Sequence, residues 1–231
     1  MYFFVSLLTS CAPYRTQAPD IDLERVHRSG AHRLAFDPAG KRLASGGFHG
    51  EVRVWSVADG SAITTLARHQ DAVRGLAWLD DERLISADRS GRLLLRQLSS
   101  ARVVSSVQLA AVSNMALSPD HSWLLVTGGT RLYKLALPSL QTLAQRDVGS
   151  RLLSVAVSHG TGRIALSSRD GRVRLLDSNL QDIAELPRPS RDALDLRFSP
   201  DGTTLLAGGW FRLLVWDLRQ LRLEERPTEH L

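Results

Sequence analysis

The sequence predicts an all-β protein built from five copies of one small antiparallel sheet. In the stretch "EVRVW", Val52 and Val54 alternate with Arg53, which is the two-residue period of a half-buried strand. Short runs of this kind are separated by turn sequences such as "DPAG" at 37–40. The same succession of runs and turns recurs along the chain about every 40 residues, a period typical of repeat architectures.

The first copy, residues 27–68, shows the pattern most clearly. Its strands are predicted around Leu34-Ala35-Phe36, at "RLASGG" (42–47), at "EVRVW" (51–55) and at "SAITTLAR" (61–68). Tight turns separate these four runs. Four strands joined by short turns form one antiparallel meander, which leaves a sheet face and an edge in need of partners.

The first apolar triplet of this copy has a counterpart in each of four later copies. The matching triplets are Leu76-Ala77-Trp78, Met115-Ala116-Leu117, Val155-Ala156-Val157 and Leu196-Arg197-Phe198. The resulting repeats lie at 27–68, 69–107, 108–147, 148–188 and 189–229. Repeated four-stranded sheets bury their faces best by stacking radially, so we expect each repeat to be one blade of a β-propeller.

Three stretches resemble the WD-repeat (β-transducin-like) family: "SGGFHGEVRVW" in repeat one, "SSRDGRVRLLD" at 167–177, and "FSPDG" followed by "VWD" at 198–217. Trp216-Asp217 is the dipeptide after which that family is named. The resemblance extends over residues 20–231, and it implies WD-type blades whose buried polar side chains hydrogen-bond within each blade.

In that family a His, a Ser or Thr, a Trp and a turn Asp form one network in each blade. The resemblance gives His27, Ser45 and Trp55 these roles in repeat one, with His49 where Asp is expected. In repeat two it gives them to His69 and Ser86, while Ser90 and Arg96 occupy the other two places. Asp170 is the turn aspartate of repeat four. These roles are structural, because the network satisfies buried polar groups.

The two ends of the repeat region suggest an incomplete ring. Residues 20–26 occupy the place of a fourth strand with no preceding blade, which in the family closes the ring against the last blade. Residues 221–226 already give the fifth repeat its own outer strand. We therefore expect an open arc, and expect the sequence to be a C-terminally truncated fragment of a seven-bladed protein.

Residues 1–11 resemble a bacterial lipoprotein signal. An apolar run of about ten residues is too short to span a bilayer, and Leu8-Thr9-Ser10-Cys11 matches the box in which the cysteine receives lipid. Ala12 after the cysteine implies the outer membrane, with the protein facing the periplasm. Met1–Ser10 contains no Lys or Arg, so another secretory signal and a buried N-terminus in a cytoplasmic protein remain alternatives. Residues 12–19, with two prolines, read as a linker.

Composition argues against several classes of function. The net charge of +5 comes from arginines placed singly on strands, without a basic block, so we expect no nucleic-acid partner. Cys11 is the only cysteine in the sequence. His27 and His49 could approach each other, but two histidines fall short of the three or four ligands of a usual zinc site. No phosphate loop or nucleophile elbow occurs, and we expect neither a cofactor nor catalysis.

The surface predicted to bind is the face that carries the hairpins between second and third strands and the loops leading into each blade. It would display aromatic and Arg side chains, which are enriched in interface hot spots. They are Phe48, His49, Arg89, Arg131, Arg169, Trp210 and Phe211. The favoured function is a non-catalytic scaffold for protein partners. The alternatives are an enzyme or ligand site in the central funnel, and a Trp210-Phe211 pair folded back onto its own blade.

Overall fold

The computed structural model describes residue 27 and residues 29–228. In this part of the chain there are twenty strands and no helix, and the strands form five antiparallel sheets of four. Each sheet is a simple meander in which strands follow one another in sequence order. The predicted all-β fold with five four-stranded blades is thereby confirmed.

The strand bounds are as follows. Blade one contains β1 (Ala31–Phe36), β2 (Arg42–Gly47), β3 (Val52–Ser56) and β4 (Ala62–Leu66). Blade two contains β5 (Val73–Trp78), β6 (Arg83–Asp88), β7 (Arg92–Gln97) and β8 (Val103–Gln108). Blade three contains β9 (Asn114–Leu117), β10 (Trp123–Gly128), β11 (Arg131–Ala136) and β12 (Thr142–Asp147). Blade four contains β13 (Leu152–Val157), β14 (Ile164–Ser168), β15 (Val173–Leu176) and β16 (Asp182–Leu186). Blade five contains β17 (Leu194–Phe198), β18 (Thr204–Gly209), β19 (Arg212–Asp217) and β20 (Arg222–Pro227).

The hydrophobic core lies between the blades. Ala44 and Val54, paired across β2 and β3, are fully buried and pack with Val73 and Leu84 of the next blade. The Trp78 indole Nε1 also donates a 2.9 Å hydrogen bond from blade two to the backbone carbonyl of Ala35. Comparable clusters join blades two to three, three to four and four to five. Each of the first four blades thus buries one sheet face against its successor.

Blade one leaves its other face uncovered. In blade two, Leu76 and Trp78 pack against blade one. Leu34 and Phe36 hold the corresponding positions in blade one, and their exposed fractions are 60% and 61%. The predicted ring-closing segment, residues 20–26, lies outside the described residues, as do the signal and linker at 1–19. Among residues 27 and 29–228, no helix is present that is long and apolar enough to span a membrane.

Candidate protein-binding face and the blade networks

The best-defined polar network lies in blade two. His69 Nδ1 donates to Asp88 Oδ2 at 3.0 Å, and His69 Nε2 lies 2.8 Å from the Ser86 hydroxyl. Arg96 Nη1 donates to the same hydroxyl at 2.8 Å, and its Nη2 donates to the carbonyl of Ala67 at 2.8 Å. All four members of this network are buried. The network ties the loop that leads into the blade to the second and third strands.

One of these partners was not expected from the sequence. The carboxylate that holds His69 is Asp88 at the end of β6, and Ser90, in the turn, instead donates to that carboxylate at 2.6 Å. Arg96 stands where blade one has Trp55, and both donate to the serine of their own blade. The sequence does contain a sign of this contact: Asp88 is acidic, whereas the equivalent residue of blade one is Gly47.

The environment of His69 favours its neutral form. Burial lowers the pKa of the imidazole, and the nearby positive charges of Arg96 and Arg92 lower it further. The hydrogen bond and charge of Asp88 act in the opposite direction without reversing the shift of the pKa. This direction of the shift is in keeping with a structural role for His69.

Blade one has a similar but less complete arrangement. His27 Nε2 lies 2.9 Å from Ser45 Oγ, to which Trp55 Nε1 donates at 2.8 Å. The acidic neighbour of His27 is Glu51, with 3.9 Å between Nδ1 and Oε2. Burial lowers the pKa of His27, while the charge of Glu51 raises it by less. His27, Ser45 and Trp55 therefore meet as the resemblance implied.

His49 does not join this network. Its Nε2 lies 2.9 Å from the hydroxyl of Ser29 instead, so the two histidines considered for a metal have different partners. Within residues 27 and 29–228 no group of three His, Cys, Asp or Glu side chains is placed to hold a metal ion. The acidic residue beside His27 is Glu51, a neighbour that the sequence analysis did not anticipate.

The remaining structural residues lie in blades four and five. Asp170 accepts hydrogen bonds from the Ser168 hydroxyl at 2.6 Å and the Arg172 amide at 3.2 Å, which fixes its hairpin turn. Trp216 is completely buried between blades four and five, and its Nε1 donates to the carbonyl of Pro187 at 2.9 Å. Asp217 accepts from two backbone amides of the following turn.

Trp210 and Phe211 form the tip of the hairpin between β18 and β19. Their exposed fractions are 66% and 63%, and Phe211 adopts a φ of 57°, which turns the chain tightly at this point. The alternative in which one ring folds back as core does not agree with this exposure. Two adjacent aromatic rings therefore project from the predicted face.

A second aromatic group lies on the hairpin of blade one. Phe48 is 48% exposed and stacks on the ring of His32, with 5.6 Å between ring centroids and 25° between planes. His49 meets the same phenyl ring edge-on at 6.5 Å. His32 belongs to the inner strand β1, so this group joins the hairpin to the rim of the central funnel.

The three predicted arginines differ in their partners. Arg89 Nε donates to Asp71 at 3.0 Å, and Arg131 lies 3.5 Å from Asp147. Arg169 lines a cavity of about 290 Å³ at the funnel, together with Arg89. Three further arginines line the same cavity and were not singled out from the sequence: Arg33, Arg74 and Arg151.

Backbone hydrogen bonds hold the hairpins of this face against the loops of the next blade. The amide of His69 donates to the carbonyl of Gly50 at 3.0 Å, and that of Leu109 donates to Gly91 at 2.9 Å. A β-carbon on Gly50 would lie 2.2 Å from the His69 carbonyl oxygen, so only glycine permits this approach. The hairpins of blades one and two are consequently held in place by the next blade.

Comparison with known families agrees with this architecture. The family model described as "WD domain, G-beta repeat" matches residues 23–56 and 182–217, which include parts of blades one, four and five. Two stretches of the chain therefore match the WD40 repeat, and its fold is that of a WD40-type β-propeller. The propeller domain of Cps50 (Swd1) from Myceliophteria thermophila superimposes with a TM-score of 0.71 over 83% of this chain and 68% of that domain. Its sequence identity is 16%, so this likeness concerns the fold alone.

Among curated proteins, the similar sequences belong to larger molecules. Periodic tryptophan protein 2 homolog of Caenorhabditis elegans is 26% identical over 77% of this chain, which spans 20% of that protein. The APC/C activator protein CDH1 of Saccharomyces cerevisiae is 27% identical over 80% of this chain, which spans 42% of it. The 231-residue chain therefore spans less than half the length of these relatives.

Proposed function

We propose that this WD40 propeller is a non-catalytic scaffold that binds protein partners through the face carrying its hairpins. The observation that supports this most strongly is the exposed Trp210-Phe211 tip of the hairpin between β18 and β19. Large aromatic side chains bind well because they bury much apolar surface and lose little conformational entropy. Two similar proteins carry names that state an action on, or an association with, another component: "APC/C activator protein CDH1" and "ASTRA-associated protein 1".

A catalytic site in the central funnel is the alternative function. Such a site needs several His, Asp or Glu side chains that converge near the axis. In the two cavities that Arg33 and Arg74 line, the charged side chains are arginines and Asp195, accompanied by His32. Arginine rarely acts as a general acid or base because its guanidinium stays protonated at physiological pH. This lining favours binding over acid-base chemistry.

The tether proposed for this scaffold is a lipid on Cys11 at the bacterial cell envelope. It is supported by the sequence Leu8-Thr9-Ser10-Cys11 alone, and these residues lie outside the described part of the chain. Expressed behind a complete signal in a Gram-negative host, the protein should incorporate labelled palmitate. Cys11→Ser should abolish the label, since the thioether requires sulfur. Labelling of the Cys11→Ser protein would exclude the anchor.

The binding face is tested by a double substitution, Trp210→Ala with Phe211→Ala. Proteins that copurify with the tagged chain from its own cells should be depleted at least tenfold, as expected for the loss of about 2 kcal/mol at a hot spot. Val57→Ala, at an exposed turn on the opposite face, is the matched control. A large fall in melting temperature, or equal depletion by Val57→Ala, would contradict the proposal.

A further inference from the structure

Two cavities open on the axis of the propeller at the hairpin-bearing face. One, of about 290 Å³, is lined by arginines of blades one, two and four. The other, of about 330 Å³, reaches from blade one across blades two and three to β17 of blade five. Arg33 and Arg74 line both, so the two cavities adjoin. We call the arginines that line them the axial arginine cluster: Arg33, Arg74, Arg89, Arg151, Arg169 and Arg197.

Most of this positive charge is not neutralised within the described residues. Arg89 is paired with Asp71 and Arg197 with Asp195, each at 3.0 Å. The other four members, on blades one, two and four, have no carboxylate within ion-pair distance in residues 27 and 29–228. Like charges gathered around one cavity repel each other, so an anion between them lowers the electrostatic energy.

Hydrogen bonds within the cluster fix the direction of two guanidinium groups. Arg33 Nε donates to the carbonyl of Arg74 at 2.9 Å, and Arg74 Nη1 lies 2.8 Å from His32 Nε2. Burial lowers the pKa of Arg33, Asp195 opposes this, and the charges of Arg74 and Arg197 add to the lowering. Arg33 is thus a partly desolvated cation that its surroundings do not fully compensate.

We propose that the axial arginine cluster binds an acidic peptide segment, with phosphate or carboxylate groups, of the protein partner. This inference rests on the proposed scaffold function and specifies the chemistry of that partner. The planar guanidinium fork matches both phosphate and carboxylate oxygens and can bind them through paired hydrogen bonds. Several such groups around one cavity suit closely spaced anionic side chains.

The shape and surroundings of the cluster favour a peptide over nucleic acid or membrane. The cationic groups converge on a cavity of a few hundred cubic ångströms, whereas a nucleic-acid backbone needs cations spread along a groove. Phe48 stacks beside the rim, and Trp210 and Phe211 lie on the same face. A peptide can place its anionic groups in the funnel and its apolar residues on these rings.

Fluorescence anisotropy with three labelled peptides of one sequence tests this inference on the 231-residue chain. The peptides carry two phosphoserines, two glutamates or two serines. The acidic peptides should bind at least about tenfold more tightly than the serine peptide, because each charge-assisted hydrogen bond contributes more than a neutral one. Comparison of the phosphoserine and glutamate peptides shows which anion the cavity prefers.

Two double variants distinguish binding by the axial arginine cluster from a general effect of the positive charge of the protein. Arg74→Gln with Arg151→Gln should weaken the acidic peptides about tenfold and leave the serine peptide unchanged. The control, Arg102→Gln with Arg219→Gln, removes two exposed charges at turns of the opposite face and should change binding less than twofold. Melting temperatures of both variants verify that the fold is retained.

Several results would overturn the inference. They are equal binding of the serine peptide, an equal loss in the Arg102 and Arg219 control, and tighter binding of a single-stranded RNA or of phosphatidylglycerol vesicles. In a further outcome, partner capture is lost in the Trp210 and Phe211 variant but retained in the Arg74 and Arg151 variant. That result would contradict the role of the axial arginine cluster and leave the proposed scaffold function standing. Capture that survives the aromatic substitutions would contradict the proposed function instead.

Discussion

Equivalent buried serines in two blades accept hydrogen bonds from different kinds of side chain. The serine hydroxyl of the second strand receives its hydrogen bond from the Trp55 indole in blade one and from the Arg96 guanidinium in blade two. Sequence spacing identifies His69 and Ser86, because both occupy repeated positions. Sequence spacing does not identify Asp88, because the equivalent residue of blade one is Gly47, which has no side chain that could form such a bond.

Ser86→Ala tests the energetic role of this network. The substitution leaves His69 Nε2 and one Arg96 donor without their partner inside a region closed to water. We expect a loss of about 1–3 kcal/mol in the free energy of unfolding, measured by urea titration. The control Ser106→Ala, on the exposed strand β8, should change it by less than about 0.5 kcal/mol. Equal effects would show that the network contributes nothing specific.

The two buried histidines predict a stability that depends on pH. Both have a pKa below the ordinary value of 6.5 in the folded chain, so between these values the unfolded chain binds more protons. The contribution of these histidines to the free energy of unfolding is then fully present above pH 6.5. It is lost as the pH falls through their pKa values in the folded chain. The urea midpoint should fall between about pH 7.5 and about pH 5. His69→Gln should flatten this dependence, and the exposed His159→Asn should not.

At the scale of the elements, the strands and hairpins were largely predictable. Alternation of apolar and polar residues located strands such as Arg42–Gly47, whose predicted and observed bounds coincide. The sequences "GGTRLY" and "GGWFRLL" contain the short hairpins of blades three and five. Which hairpin touches the loop of the next blade could not be predicted, since that contact depends on how blades pack.

Gly50 and Gly171 occupy equivalent hairpin positions and allow this contact to be measured. Both have positive φ, but a β-carbon on Gly50 would strike the His69 carbonyl oxygen, whereas Gly171 has open space around it. Gly171→Ala should cost about 1 kcal/mol for the left-handed backbone alone. Gly50→Ala should cost about 1–3 kcal/mol more, from the clash. Equal losses in thermal unfolding would mean that the hairpin does not pack tightly on blade two.

At the scale of the molecule, five blades follow one another in sequence order, and each inter-blade core belongs to two neighbours. The repeat predicted this order, because every copy needs a partner for its apolar face. It did not predict the axial arginine cluster. Arg33, Arg74 and Arg151 are far apart in the sequence and meet only because inner strands of different blades surround one axis.

The uncovered face of blade one predicts self-association of the chain. Leu34 and Phe36 are exposed there, although the equivalent residues of blade two are packed against a neighbour. Exposed apolar sheet faces and edges promote association. Sedimentation velocity of the 231-residue chain should therefore show oligomers, and Leu34→Ser with Phe36→Ser should shift the distribution toward monomer. A single monomer boundary for the unmodified chain would contradict the expected open arc.

Site-specific photocrosslinking tests the central claim, that the hairpin-bearing face is where protein partners bind. A photoreactive residue is placed at Trp210 or at Phe48 on this face, and at the exposed Ala58 on the opposite face, and the chain is irradiated in its own cells. The account predicts that the same partner is crosslinked from Trp210 and Phe48 and not from Ala58. Crosslinks obtained equally from Ala58, or from Ala58 alone, would contradict it.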